Sequence, residues 1–207
     1  MNILYKDLID DFEFTNDLGI DSYNLLIKYK CYNTAEHSQR VAKECKLLAR
    51  KFGLDENLAE IAGYLHDISA IIPNDEKLEF AKKLEIEILK EEEEFPMILH
   101  QKISRDMAYN IWGIKDRDIL SAIGCHTTLK RNASPLDLVL FIADKIQWDQ
   151  EGIPPYISYI KEGLNISLEY GGFAFIKYLI EDKSNLKVIH PWLLAAYNDL
   201  NDKIYKK

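Results

Sequence analysis

Residues 33–72 read NTAEHSQRVAKECKLLARKFGLDENLAEIAGYLHDISAII. Apolar residues recur there at three- and four-residue steps, first as Val41, Cys45, Leu48, Ala49 and Phe52, then as Leu58, Ile61, Ala62 and Leu65. Such steps gather each set on one face of a helix, whereas a half-buried strand would alternate. Thr34 is placed to cap the first helix and Gly53 to end it. The second starts near Asp55 and must stop before Pro73. Two helices in succession with a tight turn between them predict an all-α chain.

The same period continues outward. Residues 75–93 read as a broken helix ending in the acidic run Glu91–Glu94, which is expected to be a solvated face. His100 to Trp112 carries the stripe Ile103, Ser104, Met107 and Ile111, closed by Gly113, and residues 116–127 follow with Ile119, Leu120 and Ile123. Ser134-Pro135-Leu136-Asp137 supplies an N-cap, a proline at the first helical position and a capping-box acid for a helix with stripe Leu136, Val139, Leu140 and Ala143. Beyond Asp149 the Gly152–Pro155 turn leads to an aromatic-rich helix pair over 156–179, and a last helix follows Pro191. Residues 1–33 form an N-terminal lead-in to the core at 34–147, and 148–207 are C-terminal helices.

A chain of 207 residues, 47% of them hydrophobic, suits one compact domain over 1–207. Its net charge of −8 disfavours a long nucleic acid, since the pair Lys130-Arg131 is too small a basic patch to offset it. A small phosphorylated ligand remains compatible, because its charge can be met inside a cleft. The start MNILYKDLID lacks a signal peptide's pattern, and no apolar run approaches the ~20 residues that span a bilayer. A cytoplasmic protein with no membrane contact is expected, and a homodimer is compatible with the chain. Cys31, Cys45 and Cys125 form no CxxC pair and read as reduced thiols, Cys125 as a small packed residue.

The ionisable residues of interest fall on the apolar stripes. His37 is four before Val41, His66 four after Ala62, His100 three before Ile103, His126 three after Ile123 and Asp144 four after Leu140. One histidine on such a face is an ordinary core residue; several helices repeating the pattern are not. Burying Asp67 and Asp144 without partners would cost several kcal/mol each, by the usual penalty for an unpaired buried charge. A metal centre answers this, with imidazole lone pairs and carboxylates around one positive charge. His66 and Asp67 are neighbours, about 100° apart on a regular helix. Both reach one centre where the helix end bends before Pro73, or where the centre is dinuclear and bridged by Asp67.

The stretches NTAEHSQRVA (33–42), AGYLHD (62–67) and ADKI (143–146) resemble the HD superfamily of metal phosphohydrolases, whose pattern is H…HD…D. The resemblance implies a compact helical HD-domain bundle with the metal site between core helices, held by His37, His66, Asp67 and Asp144. His100 in LHQKIS and His126 in AIGCHTT look like the further histidines of two-metal members. Together with ADKI, the HTT segment is similar to the YqeK-type bacterial hydrolases, which use di-iron sites and cleave diadenosine tetraphosphate symmetrically to two ADP. Two divalent ions are thereby implied, iron by likeness, with manganese, nickel or zinc also suited to this ligand set. Asp67 and His66 become the catalytic pair, and a small nucleotide the substrate.

Two features depart from those relatives: Gln147-Trp148-Asp149-Gln150 stands where they carry Glu-Pro and then Arg, and Ala70 where they carry Lys. Arg40, Thr127, Lys130 and Lys145 are the candidate substrate contacts, and Trp148, Tyr156 and Tyr159 are aromatics able to stack on a purine. His190, before Pro191, reads as structural. An HD nucleotidase acting on nucleoside mono- or triphosphates, and a catalytically silent nucleotide-binding sensor, remain as alternatives.

Overall fold

The computed structural model describes residues 3–148, 150–181 and 186–206, so Asp149 lies outside the described residues. Among them there are α-helices and short 3₁₀ turns and no strand. The helices are α1 Ile3–Leu8, α2 Leu18–Lys28, α3 Tyr32–Phe52, α4 Glu56–Leu65, α5 Lys77–Lys83 and α6 Lys90–Glu94. They continue with α7 His100–Asn110, α8 Arg117–Cys125, α9 Pro135–Ile146, α10 Ile157–Leu164, α11 Leu168–Glu181 and α12 Pro191–Tyr205. None of these is long and apolar enough to cross a membrane.

Local chemistry accounts for the boundaries. Gly53 takes the left-handed conformation that glycine permits, with φ 69°, and the Leu54 N–H returns to Ala49 O at 2.9 Å, ending α3. Asp55 caps α4 by accepting from the Asn57 and Leu58 N–H groups, and Ser134 with Asp137 makes the expected capping box on α9. Thr34, by contrast, is not a cap. Lys30 turns the chain out of α2 at φ 61°, the Cys31 N–H bonds back to Leu26 O, and α3 is already under way at Tyr32.

Two apolar clusters form the core. The larger joins α3, α4, α8 and α9 to the C-terminal helices. The smaller gathers Tyr5, Leu25 and Leu26 with Ile68, Ile71, Leu99, Ile103 and Met107, so the N-terminal lead-in supplies two helices and buried core residues. Leu65 belongs to the first cluster and Ile68 to the second, which leaves His66 and Asp67 at the seam between them. α3 and α4 cross at their smallest residues: a Cβ on Gly63 would stand 2.4 Å from Ala42 Cα.

A second expectation is also overturned. The acidic run is not wholly solvated, because Glu92 is 0% exposed. It accepts from Lys102 at 2.7 Å and from the Leu89 N–H, and lies 3.3 Å from His190 Nε2. Its neighbours Glu91, Glu93 and Glu94 carry the exposed or half-buried charge. His190 is structural as expected, capping α12 by accepting from the Trp192 N–H.

Candidate metal centre

α4 stops at Leu65, and Asp67 leaves the helix with φ −112° and ψ 19° before the 3₁₀ turn Ile68–Ile71. That bend turns two adjacent side chains inward together, with His66 Nε2 3.4 Å from Asp67 Oδ2. The turn that follows Asp67 is tied to α7. The Ser69 N–H donates to Ser104 Oγ at 3.1 Å, the two hydroxyls lie 2.9 Å apart, and Ser69 Oγ donates to His100 O at 2.9 Å.

Three histidines share one local device. His66, His100 and His126 each stand at or just beyond a helix end, with Nδ1 2.8, 2.6 and 2.9 Å from the carbonyl oxygen three residues earlier, on Gly63, Met97 and Ile123. A carbonyl only accepts, so Nδ1 carries the proton and Nε2 presents a lone pair to the interior. His100 Nε2 and His126 Nε2 are 3.0 Å apart, and each is 3.4 Å from Asp67 Oδ1. On the other side of Asp67, His37 Nε2 is 2.9 Å and His66 Nε2 3.7 Å from Asp144 Oδ1.

These atoms fall into two potential metal-binding groups, His37 with His66 and Asp67, and Asp67 with His100 and His126. Asp67 is common to both. The arrangement fits a cation better than it fits a hydrogen-bond network: His66 Nε2 is buried without a hydrogen-bond partner, and the facing lone pairs of His100 and His126 repel unless something positive lies between them.

The titrations express the same shortage of positive charge. Burial opposes a charged His66, yet the carboxylates of Asp67 and Asp144 outweigh it and push this imidazole up to about 9. Burial pushes His100 down to about 4, against the pull of Asp67. Burial raises the Asp67 and Asp144 carboxyls, but the imidazoles around Asp67 and the Lys145 ammonium beside Asp144 hold both well below the usual carboxylate range. A divalent ion would supply that charge without a proton.

The candidate substrate contacts divide. Thr127 and Lys145 line a cavity of about 220 Å³ over the ligand set, together with Trp148 and Tyr156. Thr127 Oγ1 lies 2.9 Å from Nε2 of His100, not of His126. Lys145 pairs with Asp144 and sits over the rings of Phe141 and Phe175. Lys130 points elsewhere, to Ser121 and to Asp137 Oδ2 at 3.3 Å, because the fully buried Asp137 draws the nearest cation. Arg40 is exposed on α3 and lines no cavity at the centre. Tyr159 is 53% exposed and lines a separate groove with Tyr170, Phe173 and Tyr178.

Sequence reasoning missed the roles of four residues. Ser69 and Ser104 make the clamp on the turn after Asp67; the signal was a hydroxyl on the apolar stripe of α7. Gln101 is fully buried, and its Oε1 accepts from the Thr127 and Thr128 N–H groups, tying α7 to the loop after His126. Lys77 lines a second cavity of about 620 Å³ that shares Asp67 and His100 with the first.

A model of the HD domain matches residues 34–149. An uncharacterized protein in the pepC 5′ region of Lactococcus lactis subsp. cremoris is 43% identical over 151 residues, 73% of this chain and 76% of that protein. A symmetrical bis(5′-nucleosyl)-tetraphosphatase of Halalkalibacterium halodurans is 30% identical over 169 residues, 80% of this chain and 87% of the relative. The crystal structure of a predicted HD superfamily hydrolase involved in NAD metabolism, from Clostridium acetobutylicum, superposes with a TM-score of 0.80 at 25% identity, covering 89% of this chain and 97% of that one.

Proposed function

Because the chain belongs to the HD-domain family and is a metal-dependent phosphohydrolase, we propose that its substrate is a dinucleoside polyphosphate, diadenosine tetraphosphate above all, cleaved symmetrically to two ADP. The observation that carries this reading is the pair of cavities meeting at Asp67 and His100. A symmetric substrate cut at its midpoint needs room for a nucleotide on each side of the reacting centre. The tetraphosphatase relative, similar over most of both chains, supports the same substrate class.

In this reading His37, His66, Asp67 and Asp144 hold one cation, and Asp67, His100 and His126 the other, iron in both places. Bound there, the ions supply Lewis acidity, polarising a phosphoryl oxygen and making water a nucleophile near neutral pH. The chain's own groups prepare the site. The Nδ1–H bonds of His66, His100 and His126 fix the ring orientations and aim their Nε2 atoms at the centre. Asp67, two residues ahead of the serine-tied turn, is common to the two ligand groups. Thr127 places its hydroxyl 2.9 Å from His100 Nε2, at the edge of the ligand group, and Lys145 orients Asp144. Trp148 closes the smaller cavity with an aromatic surface for a purine. The reaction adds one water and breaks one bridging P–O bond, leaving two diphosphates. The same reading takes residues 1–207 as one domain, since Trp112 packs against both apolar clusters.

Chromatography of the products tests the assignment. ADP alone from diadenosine tetraphosphate is the expected result. Inorganic phosphate released from nucleoside monophosphates would instead identify a nucleotidase, and metal-loaded protein that hydrolyses no nucleotide in a broad panel would identify a sensor.

A further inference from the structure

The larger cavity has a chemistry that the metal centre does not account for. Lys77, at the start of α5, lies in its wall and is only 2% exposed. The ammonium donates to the carbonyl oxygens of Ile72 and, at 3.5 Å, Ser69. Among the described residues no carboxylate forms an ion pair with it, and Asp67 is the acid whose field reaches it. Burying an unpaired ammonium is expensive, and an anion bound beside it would offset that cost.

Two neighbours point the same way. Lys30, in the left-handed turn ahead of α3, lies on the same wall. Tyr32, Asn33 and Thr34, the first turn of the 21-residue α3, open on the cavity, and the N-cap Cys31 makes no side-chain capping bond. The first-turn N–H groups, with the positive end of the helix dipole, are thereby left to water or an anion.

We propose that the larger cavity is a phosphate subsite in which Lys77 holds a phosphate of the nucleotide half bound away from Trp148. The assignment rests on the dinucleoside polyphosphate reading above for its substrate, and on Lys77, Lys30 and α3 for its chemistry. Ala70 lines the same cavity and offers no charge, so the position of the ammonium there depends on Lys77.

Calorimetric titration of metal-loaded protein with ADP and with adenosine tests it. Lys77→Met is expected to weaken ADP binding about 10–100-fold at one site, the worth of a charge-assisted hydrogen bond, while adenosine affinity and metal content stay unchanged. Adding Ala70→Lys to that variant is expected to restore ADP binding by returning an ammonium to the same wall. Unchanged ADP affinity in Lys77→Met, or equal weakening of adenosine, overturns the proposal. If Lys77→Met does not fold, Ala70→Glu serves instead: it keeps Lys77 and opposes its charge, and unchanged ADP affinity there overturns the proposal equally. Wild-type protein that shows the Lys77-dependent ADP site but leaves diadenosine tetraphosphate intact supports the subsite and removes the substrate reading.

Discussion

His100 Nε2 and His126 Nε2 face each other at 3.0 Å, each ring pinned through Nδ1 to a carbonyl of its own helix end. Neither ring is free to turn its lone pair aside, so the pair is set for a shared cation. Replacing His126 with Ala should lower bound metal from about two ions per chain to about one, as expected for a two-metal site, and should abolish most hydrolysis. Metal analysis of purified wild type and variant decides it; an unchanged ion count in an active variant would show that His126 is no ligand.

Ser104 meets the substrate nowhere in this scheme, yet it should control the centre. Its hydroxyl receives the Ser69 N–H and lies 2.9 Å from Ser69 Oγ, and Ser69 follows Asp67 by two residues. Ser104→Ala is expected to weaken metal binding about 10–100-fold, the usual effect of losing a group that orients a ligand. Chelator competition reads this directly. A variant with wild-type metal affinity and merely lower thermal stability would reduce the serine clamp to ordinary packing.

The helices around the centre were legible because their apolar stripes and punctuation agree: Gly53, Asp55, Ser134 and Pro191 each act where the sequence places them. The gathering of His37, His66, Asp67, His100, His126 and Asp144 was legible for the same reason, each ligand candidate being on or beside a core-facing stripe. What escaped was set by tertiary partners. Glu92 stands in a run of like charges and is buried only because Lys102 and His190 arrive from distant segments. Lys130 resembles a phosphate contact until Asp137, across the loop, captures it. Lys77 lies in a stretch without strong periodicity, and nothing local shows that the chain folds it back beside Asp67.

Glu92 gives a pH dependence. Burial raises its carboxyl, but the hydrogen bonds from His190, Lys102 and the Leu89 N–H outweigh that and hold it below the ordinary carboxylate range. A carboxyl lowered on folding contributes stability that is complete above its unfolded value of about 4.3 and is lost as pH falls through the lower folded value. Glu92→Gln removes the contribution and leaves Lys102 buried without its anion, at about 3 kcal/mol near neutral pH. Melting curves should therefore show the variant well below wild type at pH 7. The gap should close as acid titrates the wild-type carboxyl below about pH 4. A gap constant across that range would exclude the carboxylate as its source.

The crossing of α3 and α4 supplies the last prediction. His37 lies five residues before Ala42 and His66 three after Gly63, so the spacing of the helices at Ala42 and Gly63 sets the 5.3 Å between the two imidazole centroids. A methyl group on Gly63 would stand 2.4 Å from Ala42 Cα and 2.8 Å from its nitrogen, both backbone atoms that no rotamer change can move. Gly63→Ala should therefore push α3 off α4, with a destabilisation of about 1–3 kcal/mol or somewhat more, as for other overpacked cores. It should also separate His37 from His66 and weaken the metal group that contains both, while the group of Asp67, His100 and His126 is less affected. Thermal melting of metal-free protein isolates the packing effect, and metal titration of the same variant reads the change in the site. Loss of stability with both metal affinities intact would show that the α3–α4 spacing is not what places His37.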